Sequence, residues 1–204
     1  MDSQEVRREW RARSGEYSPA YYAYYGPDDK TDAVRAALDR HLAGPDPAIL
    51  EVGSSAGRHL AGLLEAGYTD LTGVELNPEA KPVMEETYPE LASQGTFHFE
   101  AIESVVSEFV DDAFDVVYSV ETLQHVHPDD DWVFEALARI AGDLIVTVEN
   151  EGSAEEGESV NYINDEFPLY YRDWGAIFTA FGFEQVKVEV GDRDTIRVFR
   201  AGSN

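Results

Sequence analysis

The segment ILEVGSSAG, residues 49–57, places one carboxylate in an apolar run and follows it with small residues. Gly53 and Gly57 lack a side chain, and Ser54 and Ser55 have short ones, so the backbone there can approach a ligand closely. A helix that starts near Gly57 would present free N–H groups and the positive end of its dipole to that ligand. The segment therefore predicts a ligand-binding turn between a strand and a helix.

The carboxylate of Glu51 indicates which charge a ligand of this turn should carry. The pattern G-x-G-x-x-G, which marks nicotinamide- and flavin-binding turns, is absent from it. A carboxylate two residues before Gly53 would repel a pyrophosphate and attract an ammonium group. We therefore expect a ligand that carries positive charge near Glu51, and the alternative is an ordinary exposed acid at a strand end.

At this turn the sequence resembles the class I S-adenosylmethionine-dependent methyltransferases. Their first motif is an acid, any residue, a glycine, small residues and a further glycine, which EVGSSAG fits with Ser55 where a middle glycine is common. The resemblance continues in order through LTGVELN, FEAIESV and FDVVYSVETLQHVHP, and it covers roughly residues 30–200. It implies S-adenosyl-L-methionine as the cofactor.

The resemblance also implies roles for individual residues. Glu75 would hold the ribose hydroxyls, and Ile102 with Glu103 would frame the adenine. The alternatives are that Glu75 and Glu103 are solvated acids and that the fourth strand simply ends in buried residues. The residues implied to bind the cofactor are Glu51, Gly53, Ser54, Ser55, Gly57, Glu75, Leu76, Ile102, Glu103, Ser119, Val120 and Tyr25.

Methyl transfer from a sulfonium is an in-line displacement, so the protein must align the reactants and exclude water. A base is useful only if the nucleophile must lose a proton. His125, in the context LQHV, is the candidate catalytic residue, and a structural role is the alternative. We expect no metal site, because the five histidines form no convincing ligand cluster with the acids.

Two groups of aromatic residues lie outside these motifs. The tyrosine cluster near the N-terminus either covers the cofactor or packs on the sheet edge, and it comprises Tyr21, Tyr22, Tyr24 and Tyr25. In the later group, Trp174 is expected in the core. Tyr162, Tyr170 and Tyr171 either line a pocket or belong to the core.

The order of elements predicts an α/β fold. Apolar strands alternate with helices up to Glu149, which indicates a parallel sheet covered on both faces. Two alternating runs then flank Gly191 and Asp192 as a hairpin. We expect a Rossmann-like three-layer sandwich whose mostly parallel, seven-stranded sheet ends in an antiparallel hairpin. Residues 1–204 would form one domain, with a helical lid segment (1–29) and a cofactor-binding core (30–200).

The sequence also predicts the bounds of smaller elements. Asn77 is expected to cap a helix that begins at Pro78. A helix over residues 129–140 would turn Trp132 inward, and another would span residues 169–180. The acidic, glycine-rich residues 150–159 are expected to form a long binding loop.

The charge balance is extreme, with 41 acidic residues against 15 Lys plus Arg and a formal net charge of -26. Such a surface repels itself in dilute salt. We interpret it as adaptation to a salty cytosol, as in halophilic archaea, and an acidic mesophilic protein is the alternative. The charge disfavours a nucleic-acid partner. The absence of cysteine, of an apolar N-terminal core and of a long apolar run favours a cytoplasmic location without membrane insertion.

The leading hypothesis is methyl transfer to a small-molecule acceptor. A nicotinamide-dependent oxidoreductase and a non-catalytic cofactor-binding protein remain as alternatives. A methyltransferase acting on RNA or protein is disfavoured by the charge and by SVET in the fourth-strand loop, where an N-P-P-Y-like motif is absent. The identity of the acceptor, its reacting atom and the oligomeric state stay open.

Overall fold

The computed structural model describes residues 1–42, 44, 46–152, 159–163 and 167–202. The helices are α1 Ser3–Arg11, α2 Pro19–Tyr25, α3 Asp29–His41, α4 Arg58–Glu65, α5 Ala80–Thr87, α6 Pro89–Gln94, α7 Ile102–Val105, α8 Trp132–Ile140 and α9 Trp174–Ala180. The strands are β1 Ile49–Val52, β2 Leu71–Val74, β3 Thr96–His98, β4 Phe114–Val120, β5 Ala141–Glu149, β6 Val160–Ile163, β7 Phe167–Tyr170, β8 Phe183–Val190 and β9 Thr195–Ala201.

Seven strands form one sheet in the order β3-β2-β1-β4-β5-β9-β8. The first five are parallel, whereas β9 runs antiparallel to both β5 and β8. This arrangement confirms the predicted fold class, including the terminal hairpin. Because β1 lies between β2 and β4, the chain order reverses there, and a crevice opens at the carboxyl ends of these strands.

Two hydrophobic layers cover the faces of the sheet. Leu50 and Val52 pack on one face with α8 and α9. Ile49 packs on the other face with α3 and α4. The alternation of side chains along β1 therefore sends neighbouring residues into opposite layers. Trp174 is fully buried in the first layer, as the sequence predicted.

Two predicted helices were wrong in part. The helix after β2 begins at Ala80 rather than Pro78, although the Asn77 side chain accepts a hydrogen bond from Glu79 N–H as a capping residue does. In α8, Trp132 is 47% exposed rather than turned inward. Buried residues at positions 133, 134, 137 and 140 define the inner face of α8, and Trp132 falls outside that helical spacing.

The helix predicted over residues 169–180 was also wrong at its start. Residues 167–170 form strand β7, which pairs antiparallel with β6. Helix α9 begins only at Trp174, where the Asp173 side chain accepts a hydrogen bond from Ala176 N–H at 2.9 Å and caps the helix. Most of the predicted acidic loop lies outside the described residues.

The N-terminal segment forms two short helices with strong start signals. In α1, Asp2 and Glu5 form a capping box, and in α2, Ser18 accepts a hydrogen bond from Tyr21 N–H ahead of Pro19. Arg7 of α1 forms ion pairs with side chains of other elements, which attach α1 to the rest of the fold. In the described part of the chain, no helix is long and apolar enough to span a membrane.

Candidate functional site

A cavity of about 160 Å³ lies at the carboxyl edge of the sheet. Its walls come from the ends of β1, β2 and β4 and from helices α1 and α2. Many of the residues predicted from sequence line it, and they are Gly53, Ser54, Ser55, Glu75, Leu76, Ile102, Glu103, Val120 and His125. The fold therefore brings together residues that lie more than 70 positions apart in the sequence.

The glycine turn after β1 is held against β2. Gly53 and Ser54 donate their N–H groups to the Val74 carbonyl at 2.8 and 3.0 Å. Gly53 and Ser55 have left-handed backbones, with φ of 75° and 50°. The hydroxyls of Ser54 and Ser55 are buried without a hydrogen-bond partner among the described residues. An unpaired buried polar group costs about 1–3 kcal/mol, so both hydroxyls suit a bound polar ligand.

Glu75 is fixed by two backbone amides. Its Oε2 accepts from Ser55 N–H at 2.8 Å, and its Oε1 accepts from Asn77 N–H at 2.6 Å. Burial raises the pKa of Glu75, and the surrounding backbone N–H groups oppose that rise. Each carboxylate oxygen can accept more than one hydrogen bond. The carboxylate can therefore hold hydroxyl groups of a ligand while it anchors the glycine turn.

Glu51 and Gly57 lie close to the turn but do not line the cavity. Glu51 is 1% exposed and shares its face of β1 with Ile49, opposite Tyr118 of β4 in register. Burial raises the pKa of Glu51 well above its ordinary value. A side chain at Gly57 would collide with Leu91. The structure thus turns Glu51 into the core layer, and it does not bring this carboxylate to the cavity as expected.

Ile102 and Glu103 line the wall beside α1. Glu103 Oε1 pairs with Arg7 Nη1 at 3.2 Å, and the same nitrogen pairs with Asp130 Oδ2 at 2.6 Å. Arg7 therefore fastens the N-terminal helix to two acidic positions of the core. The adenine frame predicted for Ile102 and Glu103 stays a prediction.

His125 lies in a 3₁₀ turn directly after β4 and contacts the Trp10 ring, with centroids 4.6 Å apart. Its Nδ1 lies 3.1 Å from the Pro168 carbonyl, and its Nε2 lies 3.4 Å from Gln124 Nε2. Because a carbonyl can only accept, Nδ1 carries the proton and Nε2 is the acceptor. Burial lowers the pKa of His125 to about 4, so the ring is neutral at pH 7.

Helix α2 presents Pro19 and Tyr22 to the cavity, and Tyr17 lines it from the preceding turn. Tyr25, in contrast, is 61% exposed and packs on Tyr21 at 5.1 Å. The inward positions of α2 are 19, 22 and 23, which are three and four residues apart and so share one face of the helix. Position 25 lies outside that face. The structure therefore does not bring Tyr25 to the cavity, and Tyr22 occupies the place expected for it.

Arg58 adds a buried positive charge to the cavity wall at the start of α4. It is 8% exposed, pairs with Asp28 Oδ2 at 2.9 Å, and lies over the Tyr22 ring at 4.9 Å. Its neighbour His59 accepts or donates a 2.7 Å hydrogen bond with Thr31. Burial lowers the pKa of His59 to about 3, so it carries no charge at pH 7.

Glu121 is the carboxylate that faces the cavity after β4. Its backbone is left-handed, with φ of 50°, which is uncommon for a residue with a side chain. Lys30 Nζ lies 2.6 Å from Glu121 Oε2 and 2.7 Å from Asp194 Oδ2. Arg193 Nη2 lies 3.4 Å from Glu121 Oε1. Strained backbone of this kind concentrates at functional sites.

Ser119 lies just below the cavity and does not line it. Its hydroxyl donates to Glu149 Oε1 at 2.7 Å. Glu149, at the end of β5, is fully buried, and burial raises its pKa to about 7 while its hydrogen-bond donors oppose the rise. Ser119 thus belongs to a buried polar network around Glu149.

Several residues that line the cavity were not among the predicted site residues. They are Arg7, Trp10, Arg13, Tyr17, Arg58, Asn77, Glu121 and Thr122. Most lie on the N-terminal segment or on helix starts, where only tertiary packing decides which side chains face a ligand. Glu149 carried a detectable signal, because it is a carboxylate that directly follows an apolar run, DLIVTV. In the described part of the chain, no group of three or more metal-binding side chains occurs.

Part of the chain matches a known family model. Residues 49–142 match the model described as a methyltransferase domain. A curated O-methyltransferase from Pyrenophora dematioidea is 23% identical over 109 residues, which cover 50% of this chain and 41% of that protein. The chain therefore spans about two fifths of the length of this curated relative.

Two solved structures with bound S-adenosylhomocysteine share the fold. Magnesium protoporphyrin IX methyltransferase from Synechocystis PCC 6803 has a TM-score of 0.71 at 14% identity, with 98% of this chain and 100% of that chain covered. The 1,6-didemethyltoxoflavin-N1-methyltransferase of Burkholderia thailandensis has a TM-score of 0.65 at 17% identity, covering 98% and 84%. The family model thus identifies a methyltransferase domain in residues 49–142, and the two structures show that the chain shares their fold.

Proposed function

We propose that this protein transfers the methyl group of S-adenosylmethionine to a small-molecule acceptor by in-line displacement. One observation carries the proposal: a single cavity is lined by the glycine turn, the amide-anchored Glu75 and His125. The family-model match supports the methyltransferase class. Both structural neighbours named above are enzymes named for a small molecule, which favours an acceptor of that class.

The cofactor fits the chemistry of the cavity wall. Glu75 would accept the ribose hydroxyls, and the unpaired hydroxyls of Ser54 and Ser55 would meet polar atoms near the glycine turn. Arg58 supplies positive charge for a carboxylate, and Glu121, rather than Glu51, supplies negative charge for an ammonium group. When bound, S-adenosylmethionine supplies a methyl group activated by its sulfonium, so the protein has only to align it and exclude water.

His125 is the residue best suited to receive a proton from an acceptor. It is neutral at pH 7, and its Nε2 is the acceptor nitrogen. Its low pKa makes it a weak base, so its contribution would be in orienting the acceptor and receiving the proton during displacement. We expect His125→Gln to lower the rate of methyl transfer by about 10–100-fold, while the affinity for S-adenosylhomocysteine changes less than threefold. A rate equal to that of the unmodified protein would remove His125 from the mechanism.

Ligand binding separates this function from its main rival. Titration calorimetry with S-adenosylhomocysteine and with NAD should show binding of the former alone. Binding of NAD, or of neither compound, would contradict the proposal. Transfer of label from methyl-labelled S-adenosylmethionine to a metabolite extract then distinguishes an enzyme from a protein that only binds the cofactor.

We also propose that the acidic surface is an adaptation to a salty cytoplasm. The formal net charge of -26 favours unfolding by self-repulsion when salt is dilute. Because the Debye length falls from about 30 Å at 0.01 M to about 3 Å at 1 M salt, we expect the melting temperature to rise by about 10 °C over this range, equivalent to about 3 kcal/mol. Differential scanning calorimetry in KCl and in choline chloride measures it. Equal rises in both salts indicate screening, and highest stability in dilute salt would contradict the adaptation.

A further inference from the structure

Strand β5 accepts most of the backbone hydrogen bonds donated by the loop that follows β4. Glu121 N–H donates to the Val148 carbonyl at 2.8 Å. The next three amides, of residues 122, 123 and 124, all donate to the Glu149 carboxylate at 3.1–3.2 Å. The following two amides, of residues 125 and 126, close the turn on carbonyls of residues 122 and 123. Every backbone N–H from position 121 to 126 is therefore paired, and Glu149 accounts for half of them.

This same loop supplies one wall of the cavity. Glu121, Thr122, His125 and Val126 all line it. The chain leaves the sheet at Glu121, whose backbone is left-handed. The loop beyond Glu121 is therefore not held by the regular hydrogen bonds of a strand pair. Its conformation, and hence the positions of the charged and imidazole groups at the cavity, depends on the acceptor that Glu149 provides.

We propose that Glu149 is a positioning residue: its carboxylate holds loop 121–126 in the conformation that brings Glu121 and His125 to the cavity. The positioning of the loop by Glu149 does not depend on the proposed methyl transfer. Only the use of this loop in catalysis rests on that proposed function. The carboxylate does not line the cavity itself, so it acts through the loop and not on a ligand.

The geometry requires both carboxylate oxygens of Glu149 to accept hydrogen bonds. Glu149 Oε1 accepts from Ser119 Oγ and from the amides of Thr122 and Leu123, and Oε2 accepts from Gln124 N–H. A glutamine would have the same shape but would turn an NH₂ group toward one set of these donors. A donor facing a donor leaves both unpaired in a buried place, which costs the desolvation of each group.

A second contact joins Glu149 to His125 through Gln124. The Gln124 Oε1 accepts from Asn150 N–H at 2.6 Å, which directs its NH₂ group toward His125 Nε2. The other imidazole nitrogen is held by the Pro168 carbonyl. When the Gln124 backbone loses its partner on Glu149, the imidazole loses one of its two restraints, so the ring should report on the state of Glu149.

The test compares Glu149→Gln with Thr147→Val in the full-length protein at 1 M KCl. Thr147 is a matched control, because it is fully buried on the same strand and its hydroxyl has no hydrogen-bond partner among the described residues. Nitrogen-15 NMR of the imidazoles, with His125 assigned by His125→Gln, gives the tautomer and the pKa of the ring. In the unmodified protein and in Thr147→Val we expect a proton on Nδ1 and a pKa of about 4.

In Glu149→Gln we expect the pKa of His125 to move toward the ordinary value of about 6.5, because Nε2 loses its donor while Nδ1 keeps its proton on the Pro168 carbonyl. Affinity for S-adenosylhomocysteine should fall about tenfold, because Glu121 and Thr122 move with the loop. A folded Glu149→Gln protein with an unchanged His125 spectrum would overturn the proposal, since a residue that only stabilises the core would lower the melting temperature alone.

A measurement on the unmodified protein covers the case in which Glu149→Gln does not fold. Amide hydrogen exchange of residues 122–124 should show protection on the order of 10³ or more, since their donors are committed to a buried carboxylate. Rapid exchange at these three amides would overturn the proposal. Neither NMR measurement requires a cofactor, so a failure to bind S-adenosylhomocysteine would refute the proposed function without affecting this result.

Discussion

Glu75→Ala is expected to weaken the binding of S-adenosylhomocysteine by about 100-fold or more. Hydrogen bonds to a charged group contribute about 1.5–3 kcal/mol each, and the substitution removes the carboxylate that would hold two ribose hydroxyls. It also leaves the amides of Ser55 and Asn77 without their acceptor, so the glycine turn loses an anchor. Titration calorimetry measures the change in affinity.

The direct and indirect parts of this effect can be separated. A ligand that lacks the 2′-hydroxyl should bind more weakly to the unmodified protein, and it should lose less affinity in Glu75→Ala than the complete ligand loses. Glu86→Ala, which removes an exposed acid on the following helix, is the control and should bind normally. Affinity in Glu75→Ala within twofold of the original would refute the assignment of Glu75 to the ribose.

Gly53→Ala should both destabilise the protein and abolish measurable binding of S-adenosylhomocysteine. The φ of 75° costs an alanine about 1–2 kcal/mol. The new methyl group would also collide with the Thr122 side chain, and such overpacking costs about 1–3 kcal/mol. The sum corresponds to a fall in melting temperature of roughly 5–15 °C. Calorimetry and ligand titration measure the two effects.

Gly67→Ala separates backbone strain from collision. Its φ is 101°, and an added methyl group would meet nothing within 4 Å. This control should therefore show only the strain, a fall of a few degrees, with the affinity for S-adenosylhomocysteine unchanged. If Gly53→Ala lowered stability no more than Gly67→Ala and still bound the ligand, the close approach of the turn to Thr122 would have no functional role.

Local patterns were sufficient for much of the fold. The parallel sheet and the reversed final strand follow from the alternation of apolar runs with helices and from the hairpin around Gly191. Hydrophobic periodicity and turn residues act over a few positions, so they can be read from the sequence. The same is true of the glycine turn, because positive φ at Gly53 is a local demand.

Elements with mixed signals were harder to predict. Leu169 and Tyr170 are apolar and fit a helix as well as a strand, and their pairing with β6 decided the outcome. Trp132 is a large aromatic residue at a helix start, but four buried neighbours set the inner face without it. In both cases contacts with elements distant in the sequence decided the structure. Local spacing does not encode those contacts.

The sequence by itself determined the sheet, the glycine turn and the acidic character of this protein, because each depends on composition or on neighbours along the chain. The tertiary structure alone decided which carboxylates face the cavity. Glu51 lies within β1 and Glu121 directly follows β4, yet β1 turns Glu51 into the core while the left-handed backbone at Glu121 turns that side chain toward Lys30 and the cavity. The direction of a side chain at a strand end depends on packing and on one backbone angle, and neither is fixed by residue type.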